Sequence, residues 1–133
     1  MPGPTEAFSR VKIDAQLRDV GWSIDDGMSV RYEYMLPDGT RADYVLCNRH
    51  GHAVAVLEAK RTYRSPRDGE RQGRAYAEQL KVPFVFLCNG EEVWAWEPAV
   101  ESHPRQVTTL PSQVDLERLI ALRCPASAPM AQI

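Results

Sequence analysis

The order of two apolar segments and one helical segment constrains the fold of this chain more than any other feature. Ala53–Ala59 and Phe84–Cys88 have the composition of buried strands, and the residues Gly69–Lys81 between them have helical periodicity. A short turn would return the chain antiparallel, whereas a connection that contains a helix crosses over the sheet. We therefore expect the two strands to be parallel neighbours in one sheet.

The remaining segments predict further strands and helices around this unit. Met28–Leu36 and Arg41–Cys47 precede it as strands, and the short links after each of them favour an antiparallel meander. The other predicted elements are a helix from about Thr5 to Val20, a loop at Arg64–Asp68, a short strand at Val93–Glu97 and a helix at Asp115–Arg123. The predicted fold class is α/β, with a mixed central β-sheet flanked by helices.

Length, cysteine content and the first residues exclude several classes of protein. At 133 residues the chain has room for one domain with an ordinary core. No apolar run reaches the ~18 residues of a membrane span, and Met1–Pro4 lacks the order of a secretory signal. Cys47, Cys88 and Cys124 show no CxxC spacing, so reduced thiols and a cytoplasmic location are expected.

Basic residues are concentrated in one segment, although the formal net charge is only −2. Residues 60–76 contain six Lys or Arg against two Asp or Glu, whereas the parts before and after are acidic. Clustered basic side chains favour a polyanion because they release counterions from phosphates. A solvated arginine-rich helix and loop is the alternative. The candidate DNA-binding residues are Arg61, Arg64, Arg67, Arg71 and Arg74.

Two carboxylates are predicted to meet across the central hairpin. Its turn is centred near His50, and the resulting register places Asp43 across from Leu57 or Glu58. Like charges that face each other across strands repel unless something neutralises them. A hard divalent cation resolves the conflict, because Mg²⁺ is held by one or two carboxylates and keeps several waters. The backbone carbonyl of Ala59 could supply another oxygen ligand.

Lys60 follows Glu58 at a spacing that puts both side chains on one face of a strand. A lysine ammonium beside a metal site can orient a water molecule and stabilise charge that develops on phosphorus. Metal, water, lysine and phosphate together describe the hydrolysis of a phosphodiester. A surface salt bridge between Glu58 and Lys60 is the alternative interpretation.

Gln72 and Tyr76 are four residues apart, which puts both on the helix face predicted to turn toward the sheet. An amide and a phenol in that place could bind a phosphate or a metal-bound water. The alternative is that both residues only pack the helix against the sheet. The predicted face also contains Ala75, Gln79 and Leu80.

A series of short segments follows one order along the chain. The segments are Thr5–Arg10, Ile13–Asp14, Gly21–Trp22, Ala42–Leu46, Ala55–Arg61, Gln72–Ala77, Asn89–Gly90, Pro104–Arg105 and Asp115–Leu119. Together they resemble the N-terminal nuclease domain of the restriction (R) subunit of type I restriction–modification enzymes, a member of the PD-(D/E)xK superfamily. The resemblance covers about residues 5–123, and the combination is specific although no single motif is.

The resemblance implies a restriction-endonuclease-like core and a role for each matching residue. Ala42 departs from the superfamily's proline, and Gly73 stands where alanine is common. The implied catalytic residues are Asp43, Glu58, Lys60, Gln72 and Tyr76. The implied metal ligands are Asp43, Glu58 and, from the first helix, Glu6, to which the carbonyl of Ala59 is added from the strand geometry.

The resemblance also implies domains and partners. Residues 1–123 would form the nuclease domain, and 124–133 have the composition of a linker toward a motor domain. The chain contains no G-x-x-x-x-G-K-[ST] loop, so ATP would act only in a downstream motor. The expected function is Mg²⁺-dependent cleavage of double-stranded DNA without sequence readout of its own. The expected partners are modification and specificity subunits, with no membrane.

Two alternatives to this function stay open at this point. One is a DNA-binding or assembly module that has the same fold and little cleavage activity of its own. The other is an unrelated α/β domain with a chance Glu-x-Lys sequence, in which Asp43 and Glu58 would not converge.

Overall fold

Six strands and three α-helices make up the part of the chain that the computed structural model describes, residues 6–60 and 65–123. The strands are β1 (Val30–Met35), β2 (Arg41–Cys47), β3 (Ala53–Ala59), β4 (Phe84–Cys88), β5 (Val93–Trp96) and β6 (Arg105–Val107). The helices are α1 (Glu6–Asp19), α2 (Glu70–Leu80) and α3 (Gln113–Arg123), and a 3₁₀-helix at Pro66–Gly69 precedes α2.

The strands form one sheet in the order β1-β2-β3-β4-β5-β6. β3 and β4 are parallel, in a register that runs from Ala55 opposite Phe84 to Ala59 opposite Cys88. The other four neighbouring pairs are antiparallel. The predicted α/β fold class, with a mixed central sheet and helices against it, is therefore confirmed, as is the crossover that makes β3 and β4 parallel.

Two local predictions need correction. The segment predicted as a loop contains the 3₁₀-helix, because the Ser65 hydroxyl accepts the backbone N–H of Arg67 at 3.2 Å and Pro66 fits the first helical turn. Strand β6 was not predicted. It has only three residues, too few for a periodic pattern, and forms by pairing with β5.

The sheet is covered on both faces, which explains why its central strands are almost continuously apolar. Successive residues of β2 point to opposite sides, so that Tyr44 and Leu46 belong to the cluster beneath α1 and Val45 to the cluster beneath α2. Cys47 and Cys88 are buried free thiols, as expected, whereas Cys124 lies outside the described residues.

Helix α2 turns a different set of residues toward the sheet from the set that the sequence predicts. Its buried residues are Gly73, Tyr76 and Ala77, while Ala75 and Gln72 are exposed. Gly73 explains the rotation, because a Cβ there would come within 2.7 Å of Val85 Cγ1. The helix therefore approaches the sheet most closely at a position that has no side chain.

Candidate active site

The register of the central hairpin brings Asp43 and Glu58 together. Tyr44 lies opposite Leu57, and one step further along the same register Asp43 lies opposite Glu58. This agrees with the register predicted from the sequence. The backbone N–H of Asp43 donates to Glu58 Oε2 at 3.1 Å, and that of Ala59 donates to Asp43 Oδ2 at 2.8 Å. Each carboxylate is thus held by the main chain of the opposite strand.

Glu58 is in an unfavourable place for a negative charge. Its side chain is 3% exposed, and burial, followed by the nearby charge of Asp43, raises the pKa of Glu58 from 4.5 to about 8. The backbone N–H of Asp43 and the ammonium of Lys60 oppose this rise. Near neutral pH the two carboxylates therefore hold a proton that a cation could replace.

Lys60 lies directly after β3 and points toward α2. Its backbone N–H donates to the Cys88 carbonyl at 2.8 Å, and its Nζ donates to Gln72 Oε1 at 3.2 Å. Gly69 adjoins this lysine, since a Cβ at Gly69 would come within 3.1 Å of Lys60 Cε. A simple surface salt bridge between Glu58 and Lys60 does not describe the arrangement, because Glu58 is buried.

Tyr76 lies one turn after Gln72, on the buried side of α2. It belongs to the apolar cluster beneath this helix, so the packing alternative holds for its ring. Burial, followed by the charge of Glu58, raises the pKa of Tyr76. The phenol is therefore a neutral hydrogen-bonding group beside the carboxylate pair.

Sequence reasoning missed two charged residues at this place. Arg10 Nη2 donates to Asp43 Oδ1 at 2.6 Å, and Arg10 Nη1 forms an ion pair with the carboxylate of Glu33 in β1. The spacing of four residues between Glu6 and Arg10 would allow an ion pair on the surface of α1. Arg10 instead bonds to residues of two strands, and the side chain of Glu6 lies outside the described part of the chain. No local spacing in the sequence links Arg10 to residues that far away.

A second contact fixes α1 over this end of the sheet. The Tyr44 hydroxyl donates to Asp14 Oδ1 at 2.9 Å, and Ile13 and Leu17 of the same helix are fully buried. Residues four apart on a helix share a face, so the anchored Asp14 places Arg10 one turn earlier above the same strands.

The predicted DNA-binding arginines are only partly available in this arrangement. Arg67 Nε donates to Glu70 at 2.6 Å, and its guanidinium lies 5.3 Å from the centre of the Trp94 ring. Arg74 pairs with Glu78 at 3.6 Å, and Arg71 is exposed. Two further predicted residues, Arg61 and Arg64, lie outside the described residues. Arg67 is in the 3₁₀-helix, and Arg71 and Arg74 are in α2. The junction of these two helices at Gly69 lies against the side chain of Lys60.

The donor set suits one kind of metal ion. Among the described residues no group of three or more His, Cys, Asp or Glu side chains is arranged to hold a metal. Asp43 and Glu58 supply two carboxylates, and the carbonyl of Ala59 directly follows Glu58 in the sequence. Mg²⁺ needs no more than this, because it is bound by one or two carboxylates and keeps several waters. The residues present therefore fit Mg²⁺ and do not suit an ion that needs a full set of protein ligands.

Known proteins resemble this chain in both sequence and structure. The profile of a family described as "Type I restriction enzyme R protein N terminus" matches residues 28–102. The EcoAI endonuclease subunit of a type I restriction enzyme from Escherichia coli is 36% identical over a match that covers 55% of this chain. The match covers 10% of that relative's length.

A solved structure extends the likeness to the fold. A fragment assigned to the HsdR subunit of a type I restriction enzyme from Vibrio vulnificus YJ016 superposes with a TM-score of 0.75 and is 25% identical. The match covers 87% of this chain and 25% of that one. Within the described residues of the present chain, no helix is long and apolar enough to cross a membrane.

Proposed function

The chain belongs to the family of type I restriction enzyme R protein N termini, and on that premise we propose that it is the Mg²⁺-dependent endonuclease domain of such a subunit. It hydrolyses phosphodiester bonds of double-stranded DNA without reading the sequence itself. The observation that carries this proposal is the meeting of Asp43 and Glu58 across β2 and β3, with Lys60 at the end of the same strand.

The metal-binding residues in this proposal are Asp43 and Glu58, with the carbonyl of Ala59 and the helix residue Glu6. When bound, Mg²⁺ would polarise a phosphoryl oxygen and a water molecule. The high pKa of Glu58 supports the assignment, since a carboxylate that is costly to ionise gains most from a cation beside it.

Lys60, Gln72 and Tyr76 act on the reacting groups. The Lys60 ammonium orients the attacking water and stabilises negative charge that develops on the phosphate. The amide oxygen of Gln72 fixes Lys60 Nζ, with which it is in contact at 3.2 Å. The hydroxyl of Tyr76 stays protonated because its pKa is raised, so it can donate a hydrogen bond to a phosphate oxygen or a water.

The basic segment binds the DNA backbone. Arg71 and Arg74 lie on α2 and Arg67 on the 3₁₀-helix before it, next to Lys60, and we assign Arg61 and Arg64 to the same contact. The glutamate partners of Arg67 and Arg74 are exchanged for phosphates on binding, which costs little because exposed ion pairs are weak. Such contacts position the duplex without reading bases.

The whole enzyme is larger than this domain. Because the chain spans about a tenth of the length of the curated relative, we propose that residues 1–123 form the nuclease domain and that 124–133 lead toward an ATP-driven motor. Modification and specificity subunits would complete the complex, which we assign to the cytoplasm of a prokaryote.

The proposal is tested by cleavage of supercoiled plasmid DNA with the assembled complex. Asp43→Asn, Glu58→Gln and Lys60→Ala should each remove cleavage while ATP hydrolysis by the complex continues. Glu117→Gln, which removes a half-buried carboxylate that pairs with Arg49, is the control and should cut normally. Cutting by all three site variants would show that the site is elsewhere.

A DNA-binding or assembly module without cleavage activity is the second candidate. Its support is that the described residues contain no cluster of three or more metal-binding side chains. Under this alternative the three site variants would leave cleavage by the complex unchanged, and replacing Arg71 of α2 by alanine would still weaken DNA binding.

A further inference from the structure

Arg10 contacts a proposed metal ligand and a second carboxylate at once. Its Nη2 lies 2.6 Å from Asp43 Oδ1, and its Nη1 pairs with Glu33. The other oxygen of Asp43, Oδ2, accepts the N–H of Ala59. Arg10 therefore covers the oxygen of Asp43 that the backbone of β3 leaves open.

Glu33 adopts a backbone conformation that is rare for its residue type. It lies opposite Asp43 in the register of β1 and β2, between the pairs Tyr32–Tyr44 and Tyr34–Ala42, but it is left out of the ladder. Its φ of +49° is in the left-handed region, which glutamate seldom adopts within a strand. Strain of this kind persists where surrounding contacts impose it, and such places are often functional.

Three carboxyl groups lie close together here, and two of them contact Arg10. Glu33 and Asp43 face each other across β1 and β2, and Asp43 faces Glu58 across β2 and β3. Carboxylates directly opposite one another destabilise a sheet. The guanidinium pairs with Glu33 and Asp43, and its single positive charge offsets part of their combined negative charge.

Exposure to solvent increases from Asp43 through Arg10 to Glu33, so the guanidinium has room to move outward, toward Glu33. The side chain of Asp43 is 15% exposed, that of Arg10 28% and that of Glu33 44%. Arg10 Nε is buried and has no hydrogen-bond partner among the described residues, so no hydrogen bond at Nε holds the guanidinium in its present place. A small outward turn would leave Asp43 and keep the ion pair with Glu33.

We propose that Arg10 and Glu33 are positioning residues that set the affinity of the site for its divalent ion. Arg10 neutralises Asp43 while no ion is bound and competes with the ion for Oδ1. Glu33 holds the guanidinium when Asp43 releases it, which makes the exchange easier. This inference rests on the proposed metal-dependent function and adds a control over metal loading that the carboxylate pair alone does not have.

A double-mutant cycle with Mn²⁺ as the probe tests the proposal. Isothermal titration of the 133-residue chain with MnCl₂ is carried out on the unmodified protein and on Glu33→Gln, Arg10→Gln and the double variant. Glu33→Gln should weaken binding about tenfold, because Arg10 then stays on Asp43, and Arg10→Gln should tighten binding. In the Arg10→Gln background the change at Glu33 should have almost no effect.

The effect of Glu33→Gln with Arg10 present, compared with its effect in Arg10→Gln, separates this mechanism from simpler ones. If Glu33 were itself a metal ligand, or acted only through its long-range charge, Glu33→Gln would weaken binding equally in both backgrounds, and the proposal would be wrong. No effect of Glu33→Gln in either background would also overturn it. Glu91→Gln is the matched control. Glu91 is an exposed partner of Lys12, which lies on α1 as Arg10 does, and the variant should bind Mn²⁺ normally.

Further measurements keep the result interpretable. Circular dichroism establishes that each variant is folded. Should Arg10→Gln unfold, Arg10→Lys replaces it, because a single ammonium cannot bridge two carboxylates as a guanidinium does. The effect of Glu33→Gln must then be smaller than in the unmodified protein, and an equal effect contradicts the proposal.

The same titrations distinguish loss of the proposed metal site from loss of the role of Arg10 and Glu33. A protein that binds no Mn²⁺ at all would remove the proposed metal-dependent function together with this inference. A protein that binds Mn²⁺ through Asp43 but shows equal effects in both backgrounds would leave the proposed function in place and remove only the inference.

Discussion

Asp43 and Glu58 are held face to face by a hydrogen bond from the backbone N–H of Asp43 to the Glu58 carboxylate, 3.1 Å long. The fold thereby places two acids where only one can be ionised at little cost. The consequences for metal binding, stability and catalysis can each be measured.

Metal affinity should increase with pH. The pKa of Glu58 is raised to about 8, so at lower pH a divalent ion must displace a proton, whereas above that pH the site is already ionised. Titrations with MnCl₂ at about pH 6.5 and about pH 8.5 should show tighter binding at the higher pH and proton release at the lower one. The titrations are run in two buffers of different ionisation enthalpy, which report the number of protons released. An affinity independent of pH would contradict this assignment of the proton.

The free energy of unfolding of the metal-free protein should fall as the pH rises, which is opposite to the trend in metal affinity. Glu58 has a higher pKa in the folded chain than in the unfolded one, so folding takes up a proton between the two values. The contribution of Glu58 is fully favourable below its ordinary pKa of 4.5 and is lost as the pH rises to about 8. The contribution of Glu58 to the free energy of unfolding is at most about 5 kcal/mol.

Urea unfolding at several pH values measures this effect. The free energy of unfolding should fall over the stated window, and the fall should be smaller in Glu58→Gln, which cannot ionise. If the difference in the free energy of unfolding between the unmodified protein and Glu58→Gln did not depend on pH over this window, the pKa of Glu58 would not be raised.

Lys60 should not be replaceable by arginine. An arginine keeps the positive charge, but its planar guanidinium cannot take the place of a compact ammonium held by Gln72 Oε1. Lys60→Arg should lower the single-turnover cleavage rate of the complex at least about 100-fold, with little change in Mn²⁺ affinity. Lys81→Arg at the end of α2 is the control and should cut at the normal rate. Cleavage by Lys60→Arg at the normal rate would mean that only the charge matters.

Gly73→Ala should destabilise the protein although alanine favours helices. The gain of about 1 kcal/mol in helix propensity is outweighed by a contact of 2.7 Å between the new Cβ and Val85 Cγ1. We expect a net loss of about 1–2 kcal/mol in urea unfolding. Val85→Ala should cost less in the Gly73→Ala background than alone, because it removes the clash. Strictly additive effects would contradict the close approach of α2 to the sheet.

The exposed Arg71 should contribute to DNA affinity through charge alone. Arg71→Ala should weaken binding to any duplex equally and reduce the slope of log K against log salt by about one. Arg49→Ala is the matched control, because Arg49 lies in the turn at the far end of the β2–β3 hairpin from Asp43 and should leave the slope unchanged. A sequence-dependent loss in Arg71→Ala would indicate contact with bases.

Five of the six described strands and the carboxylate pair could be predicted because they depend on local patterns. The hairpin register follows from the position of its turn, and the parallel pairing of β3 and β4 follows from the helical connection. The contact of Arg10 with Glu33 and Asp43 could not be predicted, since it depends on how α1 is docked and on a positive φ at Glu33 that no residue type signals. The buried face of α2 could not be predicted correctly, because a glycine adds nothing to an apolar pattern, whereas Gly73 is the point where the helix approaches the sheet most closely.

The most direct test of the central claim is a calorimetric titration of Mg²⁺ into the unmodified chain and into Asp43→Asn at about pH 8.5. Asp43→Asn keeps the shape of the side chain and removes its charge. We expect the unmodified protein to bind one ion and Asp43→Asn to bind none in the same concentration range. Equal binding by the two proteins, or no binding by either, would contradict the claim that Asp43 and Glu58 form a metal site.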